Sequence, residues 1–375
     1  MEWSERNKYN SFNSYKGLLY SKWYEAIIEW RDHKRVRPLP PIEVSLDPIH
    51  SCQLMCDHCN ANRYLSGKTK LAMRRMPDDH LLKLVRGLGN WGVKGICFGG
   101  GGEPTLHTKL KDALIMAQGR GLESSIATNG IAFTPELIKV AVGTCRWIGV
   151  SVDSATEKTY AIGRKANHFK KAISNLEKLV KAAKKVDANC DISFKFLIFD
   201  YNQHEIYDAC RLAKEIGVKD FHARPADWRH QGMEVWQKKG LSYNLESISE
   251  QMERCHEIED KDFRVFTVTH KFNTDFTPKR HFTQCLATPI CIQLCADGSI
   301  YLCPDTRHDK RFLLGKHYPD PENILKIWGS DKHYNMVFGM KTALMCKSRC
   351  TFSQYNEQCE SIFAGTEDPM CANFV

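Results

Sequence analysis

The sequence predicts an α/β chain: a parallel sheet interleaved with helices, followed by a smaller cysteine-rich unit. Three observations carry this. From residue 43 to about 230, short apolar runs alternate with helical stretches, the rhythm of parallel β/α architecture. Polar residues and glycines gather at the C-terminal ends of those runs, where such sheets bind ligands. From about residue 281 the rhythm stops and cysteine density rises, which marks a second domain.

Each element follows from local pattern. Residues 1–42 form an N-terminal extension in which Leu18, Leu19, Trp23, Ala26, Ile27 and Trp30 recur at helical spacing, and "VRPLPP" stops the helix. This helix is expected to pack on the main body. In residues 43–230, the strands "IEVSLDP", "VKGICFGGGGEP", "ESSIATNG", "RWIGVSVDS", "DISFKFLIF" and "VKDFHARPA" alternate with helices such as "MPDDHLLKLVRGLGNWG" and "HFKKAISNLEKLVKAAKKV". Residues 231–280 read as a bridge of loop and helix. In residues 281–375, "IQLCADGSIYLC" reads as a β-hairpin turning at Asp297-Gly298.

Bulk properties narrow the class. The 375 residues contain no apolar run long enough to span a membrane and no secretory signal at the N-terminus, so a cytoplasmic protein is expected. In such a chain, sixteen cysteines point to metal rather than to disulfides. The formal charge of +9 is spread through helices. No basic arm interleaved with aromatics gathers it, so nucleic acid is not the expected partner.

The segment "SCQLMCDHCN" places Cys52, Cys56 and Cys59 on one loop with gaps of three and two residues. Structural zinc prefers four ligands in two short-spaced pairs, although His50 or His58 could complete a Cys3His set. The spacing favours three corners of an iron–sulfur cubane with the fourth iron open.

Together with "GGEP" (Gly101 to Pro104) after the next strand, this loop resembles the radical S-adenosylmethionine (SAM) superfamily. The resemblance covers about residues 43–230 and implies a partial (β/α)6 TIM-like barrel. It further implies a [4Fe-4S] cluster on Cys52, Cys56 and Cys59, with SAM chelating the open iron. Glu103 and the carbonyls of the turn would receive the ammonium group, and Gly101 and Gly102 would let backbone approach the ligand. His58 stands where the family usually has an aromatic or apolar residue against adenine. Asn129 in "TNG", and Ser151 and Asp153 in "SVDS", end the next strands, where the family holds ribose and carboxylate. Arg164 is placed to reach the carboxylate, and Arg224 in "HARPA" to face substrate.

The tail resembles the SPASM domain of such enzymes, or its one-cluster twitch form. Cys285 is followed by twelve residues, Gly298, four residues and Cys303, then by Cys346-x3-Cys350. The resemblance implies one auxiliary [4Fe-4S] cluster on Cys285, Cys303, Cys346 and Cys350. A second cluster drawing on Cys291, Cys295, Cys359 or Cys371 is the alternative, and zinc is the remaining rival.

The expected reaction is reductive cleavage of SAM to a 5′-deoxyadenosyl radical, which abstracts a substrate hydrogen atom. Oxidation through the auxiliary cluster or epimerisation would follow. The implied substrate is a small polyhydroxylated molecule of sugar, aminocyclitol or nucleotide type. Peptide or protein modification is the alternative, and a non-enzymatic metal scaffold a remote one. An electron donor such as flavodoxin or ferredoxin is the implied partner.

Overall fold

A computed structural model of the chain describes residues 14–59, 61, 65, 71, 73–226, 242–269, 272, 282–339, 345–346, 350 and 352–363. Two helices, α1 (Ser14–Leu19) and α2 (Ser21–Arg31), precede the first strand, β1 (Glu43–Leu46). The alternating region then runs α3 (Asp78–Trp91), β2 (Gly95–Phe98), α4 (Leu110–Gly119), β3 (Glu123–Thr128), α5 (Pro135–Thr144) and β4 (Cys145–Ser151). It continues with α6 (Glu157–Arg164), α7 (Phe169–Lys185), β5 (Asp191–Ile198), α8 (Ile206–Ile216) and β6 (Asp220–Pro225).

These helices begin and end where their residues dictate. Asp78 and Asp79 lie in the first turn of α3, where the helix dipole favours carboxylates. Gly92, at φ 102°, closes that helix by donating its N–H to Leu88 O. Thr134 caps α5 through Leu137 N–H, and Pro135 takes its first position. Ala172, Leu176, Leu179 and Val180 form the buried stripe of α7.

The segment read as a bridge contributes to the sheet. It holds α9 (Leu245–Glu257) and a further strand, β7 (Arg264–Thr267), which pairs in parallel with β6. The cysteine-rich unit supplies β8 (Cys291–Leu294), β9 (Ser299–Tyr301) and β10 (Leu313–Lys316). As expected, β8 and β9 form an antiparallel hairpin turning at Gly298, which has φ 81°. β8 also lies parallel to β1, pairing Glu43 with Cys291 and Leu46 with Leu294. Among the described residues one open sheet therefore runs β10-β9-β8-β1-β2-β3-β4-β5-β6-β7.

The N-terminal extension breaks at Tyr20 into two helices, and α2 docks onto the cysteine-rich unit. Tyr24 and Ile27 pack with Leu286, Ile290, Cys291, Tyr355 and Cys359. Trp30 meets the rings of His333 and Phe338, both at 4.9 Å between centroids. Removing so large a buried ring leaves a cavity, so Trp30→Ala is expected to cost about 3–5 kcal/mol. A lowered denaturation midpoint would show it. Val36, 83% exposed, is the control position, where alanine should cost almost nothing.

Candidate functional site

The loop that follows β1 and the turns after β2, β3 and β4 meet at the C-terminal mouth of the sheet. The turn 99–103 lies directly on the cysteine loop. Glu103 donates its N–H to Ser51 O at 2.8 Å, and Gly101 its N–H to Asp47 Oδ1 at 3.0 Å. A Cβ on Gly101 would stand 2.2 Å from Asp47 Oδ2, and one on Gly102 would stand 2.3 Å from Ile49 O. The space a side chain would need at either position is filled by the chain's own loop.

Cys52, Cys56 and Cys59 share one small cluster with Leu54, Ile131 and Ala166, and all are free thiols. Cys52 Sγ accepts Leu54 N–H at 3.4 Å, and Cys59 N–H reaches Cys56 O at 3.0 Å. Burial pushes the Cys52 thiol up to about 11, with Glu103 and Cys56 adding repulsion. Cys59 is pushed up to about 12 by burial and by Cys56. Among the described residues the only group of three or more His, Cys, Asp or Glu donors all within 4.8 Å of one another is His50, Cys295 and His308. The three loop thiols do not form such a group. They fit a polynuclear cluster, whose ligand sulfurs surround a larger body.

Glu103 is a structural hub. Its Oε1 accepts Thr105 N–H (3.2 Å), Thr105 Oγ1 (2.5 Å) and Thr128 Oγ1 (2.6 Å), while Oε2 accepts Asn129 N–H (2.7 Å). Burial raises its pKa while these donors oppose the rise. The carboxylate expected to meet a ligand ammonium is largely committed to tying the turn to the end of β3. Asn129 accepts Ile131 N–H on Oδ1 and points its amide at Cys52 Sγ (3.6 Å) and Gln53 Oε1 (3.1 Å).

Beyond β4, Arg164 is buried, not a surface charge. Its Nη2 donates to Ser151 O (2.7 Å) and Asp153 Oδ2 (2.5 Å), and its Nη1 to Cys56 Sγ (3.6 Å). Its Nε is buried and has no hydrogen-bond partner among the described residues. Burial works against the guanidinium, but Asp153 and Cys56 hold its pKa above the ordinary value. Asp153, at φ 60°, also accepts Leu197 N–H at 2.8 Å. His58 lies 4.7 Å from the Phe199 ring and 3.6 Å from Asp153 Oδ2. Burial, then Arg164, pushes its pKa down to about 3, so it is neutral. Ser151 ends β4 in register with Lys195 of β5, and Arg224 of β6 pairs with Leu197.

The second cysteine set also converges. Cys285, Cys303, Cys346 and Cys350 line a single cavity with Phe282, Thr288, Leu302, Asp305, Thr306, Phe352 and Asn356. Asn356 directs its amide at Cys350 Sγ (3.8 Å). No three of these four thiols form a group within 4.8 Å of one another. Cys291 and Cys359 sit instead under α2, and Cys295 faces Asp47. Cys371 lies outside the described residues.

Two residues that the sequence reading passed over join the halves of the site. Asp47 Oδ2 pairs with Arg307 Nε at 2.7 Å, and Arg307 Nη2 reaches Gln293 Oε1 at 2.7 Å. Burial opposes charge on Asp47, yet Arg307 and His50 hold its pKa below the usual carboxylate range. Strand alternation in "EVSLDP" was the available signal for Asp47, because it places Glu43, Ser45 and Asp47 on one face. Nothing local marks Arg307.

Residues 46–213 match the radical SAM superfamily. Mycofactocin maturase MftC of Mycobacterium ulcerans is 24% identical over 318 residues, covering 82% of this chain and 80% of that protein. An S-adenosylmethionine-dependent nucleotide dehydratase of Lacinutrix mariniflava is 33% identical over 143 residues, 37% of this chain and 29% of that protein. In fold, the chain is similar to Streptococcus suis SuiB bound to its precursor peptide SuiA. The TM-score is 0.60 at 15% identity, covering 86% of this chain and 71% of SuiB. No described helix is long and apolar enough to cross a membrane. With its open parallel sheet, three-cysteine loop and cysteine-rich C-terminal unit, the chain carries at residues 46–213 a domain of the radical SAM superfamily, a family that binds a [4Fe-4S] cluster and SAM.

Proposed function

We propose that this chain modifies a peptide by radical SAM chemistry, removing two hydrogen atoms from it. The observation that carries this reading is the match to a maturase, MftC, which runs through 82% of the chain and so includes more than the barrel. In this reading Cys52, Cys56 and Cys59 hold the first cluster, and Cys285, Cys303, Cys346 and Cys350 the auxiliary one. Once bound, the first cluster and SAM supply a 5′-deoxyadenosyl radical. Arg164 Nε is the buried donor for the SAM carboxylate, assisted by Ser151. Glu103 and Asn129 shape the turn beside it, and His58 with Phe199 forms an apolar wall that excludes water. The four-cysteine set has no open position, which suits electron transfer over substrate binding.

A nucleotide or sugar is the second reading, favoured by the 33% identity of the barrel segment to a nucleotide dehydratase. Anaerobic reconstitution with SAM, a reductant and candidate peptides separates the two. A peptide lighter by two hydrogens, formed along with 5′-deoxyadenosine, supports the first reading. Turnover with nucleotides or sugars and none with peptides would overturn it. Cys350→Ala is expected to keep 5′-deoxyadenosine formation within about threefold while losing modified product and about four irons per chain. Equal loss of both activities would remove the division of labour between the clusters.

A further inference from the structure

We propose that His50, Cys295 and His308, with Asp47, form a third metal site: a mononuclear zinc-type centre joining the barrel to the cysteine-rich unit. The ligand atoms of His50, Cys295 and His308 all lie within 4.8 Å of one another, and His50, Cys295 and Asp47 are fully buried. Asp47 Oδ2 stands 3.6 Å from His50 Nε2 and 3.8 Å from Cys295 Sγ. Bonds of about 2.0 Å to nitrogen or oxygen and about 2.3 Å to sulfur place tetrahedral donors roughly 3.3–3.8 Å apart. Two edges of that tetrahedron are therefore present; the His50, Cys295 and His308 donors would close by at most about 1–1.5 Å, and Asp47, outside the 4.8 Å group, would swing toward His308 to complete the shell.

The donors are two imidazoles, one thiolate and one carboxylate, a mixed set suited to zinc rather than to calcium or magnesium. Arg307, on the same Asp47 oxygen at 2.7 Å, supplies the outer partner that ligating carboxylates usually have. His308 is held at φ 61°, a backbone region that non-glycine residues occupy when surroundings enforce it. That conformation sets its ring 4.8 Å from that of His50. The four residues come from the loop after β1, the end of β8 and the turn after β9. A metal there fixes the cysteine loop to the second unit only two residues from Cys52.

The test uses the full chain with its iron–sulfur clusters fully reconstituted, so that cluster cysteines are occupied. It is then exposed to zinc and passed over a mild chelator. About one zinc per chain should remain, and Cys295→Ser and His308→Gln should each lower it about tenfold with iron unchanged. Zinc X-ray absorption should show one sulfur and two or three nitrogen or oxygen neighbours. Zinc below about a tenth per chain, zinc retained by both variants, or an all-sulfur shell would overturn the proposal. If a variant also loses iron, the absorption shell of the unaltered chain decides alone.

Discussion

Cys52→Ala abolishes SAM cleavage: 5′-deoxyadenosine should fall at least about a hundredfold, and iron by about four atoms per chain. Two thiolates cannot hold three corners of a cubane, and among the described residues no cysteine outside the loop belongs to its apolar cluster. Cys52 is partly exposed and receives only weak contacts, from Leu54 N–H and the Asn129 amide, so its loss should leave the fold intact. Anaerobic chromatography and iron analysis give both readouts. Cys291→Ala serves as the comparison, because Cys291 packs under α2 and should keep its iron. Persistent cleavage in Cys52→Ala would move the chemistry away from this loop.

Arg164→Leu should produce the largest loss of stability among single changes at the site, about 3–5 kcal/mol. The cost comes from the partner: Asp153 is 2% exposed and would be left as a buried charge with Leu197 N–H as its remaining donor. Two further Arg164 contacts, to Ser151 O and Cys56 Sγ, disappear with it. Adding Asp153→Asn removes the stranded charge, and Asn tolerates the left-handed backbone at that position. The double variant should therefore recover most of the stability. It should not recover SAM cleavage, because the Nε donor is gone. A single-variant cost below about 1 kcal/mol in denaturant unfolding would mean the pair is not desolvated as described.

The parallel sheet was legible because its signals are local: apolar period and glycine turns each span a dozen residues or fewer. The three-cysteine loop is as compact, whereas the cavity that Cys285, Cys303, Cys346 and Cys350 share draws on about 65 residues of chain. The role of Glu103 was not legible, because "GGEP" reveals a carboxylate at a strand end but not the four hydroxyl and amide donors that Thr105, Thr128 and Asn129 bring to it. The Asp47–Arg307 pair joins residues about 260 apart, beyond any local pattern. β7 escaped because "RVFT" is short, and its pairing with β6 rather than its composition makes it a strand. The α2 stripe predicted burial, but the choice of surface, Leu286 and Tyr355 rather than the barrel, is a tertiary outcome.

The pairing of β8 with β1 also sets an order of events during synthesis. β1 finds β2 soon after it emerges, but its other edge is completed by residues 291–294. Roughly 250 residues must be made in between, which at about 5–20 residues per second takes some 10–50 s. Throughout that interval the strand leading into the cysteine loop offers unpaired N–H and C=O groups to any neighbouring chain. The hairpin thus arrives last, on one edge of a four-residue strand whose other edge is already paired with β2. A nascent chain stalled before residue 291 carries an open template for mispairing.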